Sequence, residues 1–163
     1  MVRSGSGMAE APWLDAEEQQ AWRAYLETTR LLIPALDRQL QADAGISFTD
    51  YGVLVQLSEA PGRQMRMRDL AEATVSTPSA VTRAVTRLEE AGWVRRVECE
   101  DDRRGMNAVL TRAGAAKLAA AAPGHVAAVR DHVFDQLSRT QIRQLRAIHA
   151  HLAERLGRPH ESG

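Results

Sequence analysis

Residues 80–114 read AVTRAVTRLEEAGWVRRVECEDDRRGMNAVLTRAG, and their pattern decides the fold of this chain. Val81, Val85 and Leu88 recur at the spacing of one helix face, which predicts a helix that packs inward along that side and ends at Gly92. The opposite face is small, hydroxylated and basic. It carries Ser79, Thr82, Arg83 and Thr86.

The residues before this helix predict how it begins. Thr77 is a typical N-cap, and Pro78 follows at the first helical position, where a missing N–H costs nothing. Residues 69–73 predict a short preceding helix, and residues 75–77 the turn between the two. This order is typical of a helix-turn-helix, whose second helix enters the major groove of DNA. Ser, Thr and Arg side chains suit that groove because they reach base edges there.

After the helix the apolar pattern changes from helical to alternating. Residues 93–99 predict a strand, residues 101–105 a polar turn, and residues 108–110 the returning strand. Such a β-ribbon beside a helix-turn-helix is called a wing. The pattern therefore predicts a winged helix-turn-helix.

The predicted turn places Arg103 and Arg104 near the tip of the ribbon. An arginine on a thin ribbon enters the narrow, electronegative minor groove, and Asp102 would orient one guanidinium by a charge-assisted hydrogen bond. A solvated hairpin with surface ion pairs is the alternative interpretation. The full set of predicted DNA-contacting residues is Thr77, Ser79, Thr82, Arg83, Thr86, Arg87, Arg95, Arg103 and Arg104.

The chain resembles the MarR-type transcriptional regulators. The resemblance implies a mainly α fold with a small β-wing, and a homodimer that usually represses transcription. It also implies release of DNA when a small phenolic or lipophilic molecule binds or when a cysteine is oxidised. The residues that carry the resemblance, in order, are Ala80, Val81, Arg83, Leu88, Glu89, Gly92, Trp93, Val94, Asp102, Arg103, Arg104, Thr111 and Gly114.

Five segments follow from these patterns. Residues 1–12 are predicted to be a flexible N-terminal segment and residues 158–163 a flexible tail. Residues 47–112 form the predicted winged helix-turn-helix, and residues 13–46 and 113–157 form helices that flank it. In the resembling family, the flanking helices make the dimerisation region.

The N-terminal helix is predicted to begin at Asp15, with Glu18 completing a capping box. Pro34 lies inside the helical pattern and is predicted to kink or split the helix. Thr49 is predicted to cap a second helix over residues 50–60.

The remaining elements are predicted by similar local signals. Residues 65–67 predict a short strand beside the wing. The apolar stripe of the C-terminal part is interrupted at Pro123 and Gly124, which predicts a break there. A last helix is predicted to start at Ser138, with Gln141 completing its capping box.

The outer helices are apolar along most of their length, which predicts burial against a second copy of the chain. A two-fold dimer would place two recognition helices roughly 34 Å apart and so require a pseudo-palindromic operator in double-stranded DNA. An intramolecular helix bundle without a partner is the alternative.

Composition sets weaker limits. The formal net charge is +0, and residues 61–112 contain 10 basic and 8 acidic residues, so bulk charge does not argue for nucleic acid. No apolar run is long enough to span a membrane, and no signal peptide is recognisable, so a cytoplasmic protein without membrane partners is expected. Catalytic motifs and zinc-type cysteine pairs are missing from the sequence, so neither an enzyme nor a cofactor or metal site is expected.

Cys99 is the sole cysteine and is interpreted as a residue of the wing strand, with oxidation sensing as the alternative. The histidines of the C-terminal helices are interpreted as ordinary polar or pocket-lining residues rather than metal ligands. A small aromatic or lipophilic effector is a candidate partner, with core or dimer contacts as the alternative role for the aromatic residues. Candidate lining residues of its pocket are Trp13, Trp22, Tyr25 and Tyr51.

Two other functions stay open at this point. A winged helix can serve protein contact alone, and DNA binding would then lack sequence preference. The same architecture can also belong to a ligand-binding or catalytic protein, although the sequence supplies no set of acid, base and nucleophile.

Overall fold

The computed structural model describes residues 12–99 and 105–157 of the chain. Contacts divide the chain after Pro34 into two compact units, which are described separately. The elements are α1 (Ala16–Ala44), α2 (Phe48–Glu59), β1 (Gln64–Arg66), α3 (Met67–Ala73), α4 (Pro78–Glu90), β2 (Val94–Glu98), β3 (Met106–Leu110), α5 (Arg112–His132) and α6 (Arg139–Gly157). Most of the predicted end segments, 1–12 and 158–163, lie outside the described residues.

The first unit contains the N-terminal part of α1. Its start is fixed as predicted, because the Asp15 amide donates to Glu18 Oε2 and the Glu18 amide donates to Asp15 Oδ1, each at 2.8 Å. The rings of Trp22 and Tyr25 stack with centroids 5.8 Å apart, and both side chains are exposed.

α1 continues through Pro34, so of the two outcomes predicted there, a kink or a split, the split is wrong. Proline costs a helix interior about 3 kcal/mol because it removes one hydrogen bond and crowds the preceding turn. Leu36 and Leu40 follow it in the second unit and are buried at 5% and 0% exposure. Burial of two leucines recovers about the same free energy, which explains why the helix persists.

The second helix begins earlier than predicted, and Thr49 is not its cap. Ser47 is the N-cap: its Oγ accepts from the Asp50 amide, and Asp50 Oδ2 accepts from the Ser47 amide, both at 3.0 Å. The Thr49 hydroxyl instead lies 2.8 Å from Ser76 Oγ, in the turn before α4. α2 ends before Pro61 and Gly62, as the sequence predicts.

Helices α2, α3 and α4 surround one core, and a three-stranded antiparallel sheet of order β1-β3-β2 covers it. The winged helix-turn-helix prediction is confirmed. The short strand lies at Gln64–Arg66, one residue earlier than predicted because Met67 begins α3, and the predicted turn at residues 75–77 also includes Thr74. The largest fully buried side chains are Leu40, Leu54, Leu57, Leu70, Leu88, Val53, Val81, Val85 and Val94.

A tight joint connects the end of α4 to the start of α5. Gly92 has a positive φ of 74° that ends α4, and the Thr111 hydroxyl donates to its carbonyl at 2.7 Å. Lys117 Nζ, on α5, donates to the carbonyl of Ala44 at 2.6 Å and lies 4.8 Å from the centre of the Trp93 ring. These contacts fix α5 against the end of α1 and the first residues of the wing.

α5 runs without interruption through Pro123 and Gly124, so the predicted break is wrong here as well. The Ser138–Gln141 capping box at the start of α6 is confirmed by bonds of 2.9 and 3.3 Å. No residue of α6 is buried. Among residues 12–99 and 105–157, the helices lack the combination of length and apolarity that a bilayer crossing requires.

Candidate nucleic-acid interface

The N-terminus of α4 is built as the sequence predicts. Thr77 is the N-cap, with Oγ1 accepting from the Ala80 amide at 3.3 Å, and Pro78 occupies the first turn. The Ser79 hydroxyl lies 3.3 Å from Thr77 Oγ1. The remaining free amides give this end a partial positive charge that attracts phosphate or other anions.

α4 has one buried face and one exposed face. Val81, Ala84 and Val85 have no exposed surface, and Leu88 retains only 1%. The core therefore fixes the rotation of the helix about its axis. The four residues predicted for the outward face are all exposed on one side: Ser79, Thr82, Arg83 and Thr86.

Two hydroxyls on this exposed face already have partners within the helix. Thr82 Oγ1 donates to the Pro78 carbonyl at 3.0 Å, and Thr86 Oγ1 donates to the Thr82 carbonyl at 3.1 Å. A threonine hydroxyl has one proton, so neither side chain has a donor left for another molecule. What they retain for another molecule is acceptor capacity and a methyl group.

The two arginines of α4 differ in their partners. Arg87 Nη2 lies 2.6 Å from Asp50 Oδ1, and the Asp50 side chain is 8% exposed while that of Arg87 is 51% exposed. The pair ties α4 to the capped start of α2. In the described part of the chain no hydrogen bond or ion pair engages Arg83, so its guanidinium keeps all of its donors.

Strand β2 is fastened to α4 by Arg96. Its Nη1 lies 2.5 Å from Glu89 Oε2, its amide donates to Glu89 Oε1 at 3.0 Å, and its Nη2 donates to Thr86 Oγ1 at 2.9 Å. The backbone hydrogen bond from Arg96 lowers the pKa of the Glu89 carboxyl more than partial burial raises it, and the guanidinium lowers this pKa further. Arg95, the preceding residue, is exposed, as expected for a predicted DNA contact.

The predicted wing-tip residues Asp102, Arg103 and Arg104 lie outside the described residues. The base of the wing is described on both sides: the Cys99 amide donates to the Gly105 carbonyl at 3.0 Å. Cys99 follows β2, is 5% exposed, and its Sγ lies 3.1 Å from Asn107 Oδ1.

The four aromatic candidates for an effector pocket are divided between the two units. Trp13 precedes α1 and is 87% exposed, and it belongs with the stacked Trp22 and Tyr25 to the first unit. Tyr51 lies in the second unit, where its ring packs against that of His125 on α5, with the two ring centroids 4.3 Å apart.

Tyr51 and His125 line a cavity of about 190 Å³ with mostly apolar walls. Burial raises the pKa of the Tyr51 phenol and lowers the pKa of the His125 imidazole, so both rings are favoured in their neutral forms. His125 Nδ1 is buried and has no hydrogen-bond partner among residues 12–99 and 105–157. The remaining lining residues are Phe48, Gly52, Val55, Gln56, Ala73, Thr74, Val75 and Ser76.

Several of these residues were missed at the level of sequence. The capping spacing from Ser47 to Asp50 is a local signal that would have identified Asp50. Contacts such as Glu89 with Arg96, or Tyr51 with His125, join different elements and leave no spacing signal. Within residues 12–99 and 105–157, no group of three His, Cys, Asp or Glu side chains is arranged to hold a metal ion.

Comparisons with known proteins agree with this geometry. The MarR family model matches residues 44–105. PecS, an HTH-type transcriptional regulator of Dickeya dadantii, is 30% identical over 140 residues, which are 83% of each protein. The transcriptional repressor MprA of Escherichia coli is 28% identical over 132 residues, covering 81% of this chain and 74% of MprA.

Similarity to a solved structure extends over nearly the full chain. Sco3205, a MarR family transcriptional regulator of Streptomyces coelicolor, was solved in complex with DNA and is 49% identical to this chain. The match has a TM-score of 0.84 and covers 93% of this chain and 95% of Sco3205. This chain belongs to the MarR family of transcriptional regulators.

Proposed function

We propose that this regulator is a homodimeric repressor that binds a pseudo-palindromic operator through α4 and the wing. The observation that carries the proposal is the exposed face of α4, where Arg83 keeps its guanidinium free among the described residues while the opposite face is locked in the core. The similarity to a regulator solved with DNA, and to a relative named a repressor, supports it.

Each polar residue of the interface then has a role. Arg83 reads a guanine through its O6 and N7 atoms, the commonest specific contact in the major groove. Ser79 and the capped start of α4 at Thr77 lie close to phosphate. Arg95, together with Arg103 and Arg104 at the wing tip, contacts the backbone or minor groove, with Asp102 orienting one guanidinium.

Arg87 and Arg96 receive a different role in this proposal. Both are held by carboxylates, Arg87 by Asp50 and Arg96 by Glu89. They fix α4 against its neighbours, and Arg83, which has no hydrogen-bond or ion-pair partner among the described residues, is the arginine of α4 that we propose reads a base.

The homodimer is supported by α6 and the first unit. α6 has 19 residues and buries none of them, and its residues Ile148, Leu152 and Leu156 are exposed at successive helical turns. An apolar helix face of this length is stable when another chain covers it. A closed two-fold dimer is the commonest arrangement, and it would repeat α4 about 34 Å away along the DNA.

The effector part of the proposal rests on the cavity at Tyr51 and His125. Its volume of about 190 Å³ admits a single aromatic ring, since a dry cavity of about 150 Å³ holds benzene. Thr74, Val75 and Ser76 line the cavity and directly precede the N-cap of α4. A ligand that fits the cavity better in the arrangement unable to bind DNA would release the operator.

Footprinting on the DNA upstream of the coding region tests operator binding. We expect Arg83→Ala to relax sequence choice at one position per half-site, with a loss of about 1–3 kcal/mol in discrimination. Arg95→Ala is expected to weaken binding to all DNA sequences alike. It should also reduce the slope of log affinity against log salt concentration by about 1, because one phosphate contact is lost.

Arg143→Ala is the matched control, because Arg143 is an exposed arginine on α6. It should footprint like the parent. If the parent binds all duplexes equally, the operator proposal fails, and a winged helix used for protein contact becomes the better explanation.

A further inference from the structure

The hydroxyl of Thr86 is the most constrained polar group on the exposed face of α4. It donates its proton to the Thr82 carbonyl at 3.1 Å and accepts from Arg96 Nη2 at 2.9 Å. One donor and one of its two acceptor positions are therefore occupied. Thr86 remains exposed, so its side chain still meets whatever binds this face.

Arg96 holds this arrangement from the strand side. Two bonds to Glu89 fix the residue, one from its amide and one from Nη1, and only 23% of its side chain is exposed. Its Nη2 also lies 3.4 Å from the Thr82 carbonyl. Turning the Thr86 hydroxyl outward would break the bond to Arg96 and leave that guanidinium with one acceptor fewer.

Thr82 provides an internal comparison one turn earlier. Its hydroxyl also donates within the helix, to the Pro78 carbonyl at 3.0 Å. In the described part of the chain, however, no donor occupies the Thr82 hydroxyl oxygen. Thr82 can accept a hydrogen bond from a base without losing a contact, whereas Thr86 has a second bond that holds its rotamer.

The bonds from Arg96 to Glu89 and to the Thr86 hydroxyl are called the Arg96 clamp. We propose that this clamp holds the Thr86 hydroxyl in place, so that Thr86 selects thymine through its methyl group at one position in each half-site. Besides one remaining acceptor position, Thr86 offers its γ-methyl, and thymine is the base that carries a C5-methyl in the major groove. This inference rests on the proposed operator binding and adds a base identity to it.

The placement of Thr86 also predicts where that thymine lies. Thr86 and Arg83 are three residues apart on one face of α4, a rise of about 4.5 Å along the helix. Base pairs are spaced by about 3.4 Å. We therefore expect the selected thymine within about two base pairs of the guanine read by Arg83.

Replacing thymines one at a time by deoxyuridine tests the proposal, because this removes the methyl and nothing else. The substrate is the operator defined by the parent footprint, and the measurement is affinity by fluorescence anisotropy at one salt concentration. For the parent, we expect one thymine per half-site whose replacement weakens binding about fourfold. This factor corresponds to the free energy of burying one methyl group.

Two near-isosteric variants separate the methyl from the hydroxyl. Thr86→Val keeps a methyl in place and should retain both the affinity and the deoxyuridine penalty. Thr86→Ser keeps the hydroxyl and should lose the penalty. Thr82→Val, the same change one turn earlier, should leave the deoxyuridine penalty at this position unchanged.

The clamp itself is tested with Arg96→Leu, which frees the Thr86 hydroxyl and should reduce the deoxyuridine penalty. Arg95→Leu, its exposed neighbour, should weaken binding without changing that penalty. The inference is overturned if the parent selects its operator but no thymine methyl matters, or if Thr86→Ser retains the penalty. It is also overturned if Thr86→Val loses more than tenfold in affinity. A parent without sequence preference would overturn the operator proposal and this inference together.

Discussion

Gly114 shows how one residue can fix the distance between two elements. A Cβ built on Gly114 would lie 2.0 Å from the carbonyl oxygen of Trp93 and 2.8 Å from Leu110 Cδ1. The first of these atoms belongs to the backbone and cannot rotate away. Any side chain at this position therefore pushes α5 away from the start of the wing.

We expect Gly114→Ala to lower the free energy of unfolding by about 3 kcal/mol, at the upper end of overpacking effects. Urea denaturation followed by circular dichroism measures the change. Gly157→Ala is the matched control, because a Cβ on Gly157 meets nothing within 4 Å. Equal stability of Gly114→Ala and the parent would show that the joint can yield.

The residues of α4 also show what a sequence can reveal about a site. The exposed positions of Ser79, Thr82, Arg83 and Thr86 were predictable, because helical spacing alone assigns each residue to a face. Their hydrogen-bonding state was not predictable. It depends on Arg96, which lies ten residues beyond Thr86 and reaches it only after the chain has turned back as β2.

At the scale of elements, the split at Pro34 and the break at Pro123 were predicted wrongly, since α1 and α5 continue through these residues. The rule that proline breaks a helix describes a local cost, and the sequence shows the local cost without the packing that offsets it. α1 continues through Pro34 into the buried residues Leu36 and Leu40, and α5 continues through Pro123 just beyond the buried Ala121. The starts of α1, α4 and α6 were predicted correctly, because a cap is complete within four residues, whereas the start of α2 was assigned to Thr49 instead of Ser47.

The turn between α3 and α4 is the element through which an effector would act. Its residues 74–76 line the cavity beside Tyr51, and Thr49 on α2 holds Ser76 through a hydroxyl contact of 2.8 Å. We expect phenol, a small neutral aromatic molecule, to weaken operator binding. Val55→Phe should abolish this effect, because the larger ring fills the cavity that Val55 lines.

Operator affinity measured with and without phenol tests this effect. Val126→Phe makes the same change at an exposed position of α5 and should respond like the parent. Release of DNA that persists in Val55→Phe would place the effector elsewhere.

At the scale of the whole molecule, α6 exposes apolar side chains and buries no residue among the described part of the chain. Ile148 and Leu152 are 56% and 48% exposed and lie one turn apart on α6. We expect Leu152→Arg to convert a dimer to a monomer, because a charge in the centre of an apolar interface loses its hydration. Sedimentation equilibrium measures the mass directly.

Val75→Arg controls for the added charge, since Val75 is an exposed valine in the turn before α4, outside the predicted dimerisation helices. This variant should keep the mass of the parent. A parent that sediments as a single chain at micromolar concentration would remove the basis for two half-sites.

Lys117 is the only lysine among the 163 residues, and its amine is held between the Ala44 carbonyl and the Trp93 ring. Acylating reagents therefore have one lysine side chain to attack in this protein, and we expect that attack to be faster once α5 has separated from Ala44 and Trp93 than while both contacts are in place. The rate of acylation at Lys117 Nζ would therefore report how often α5 separates from the end of α1 and the start of the wing.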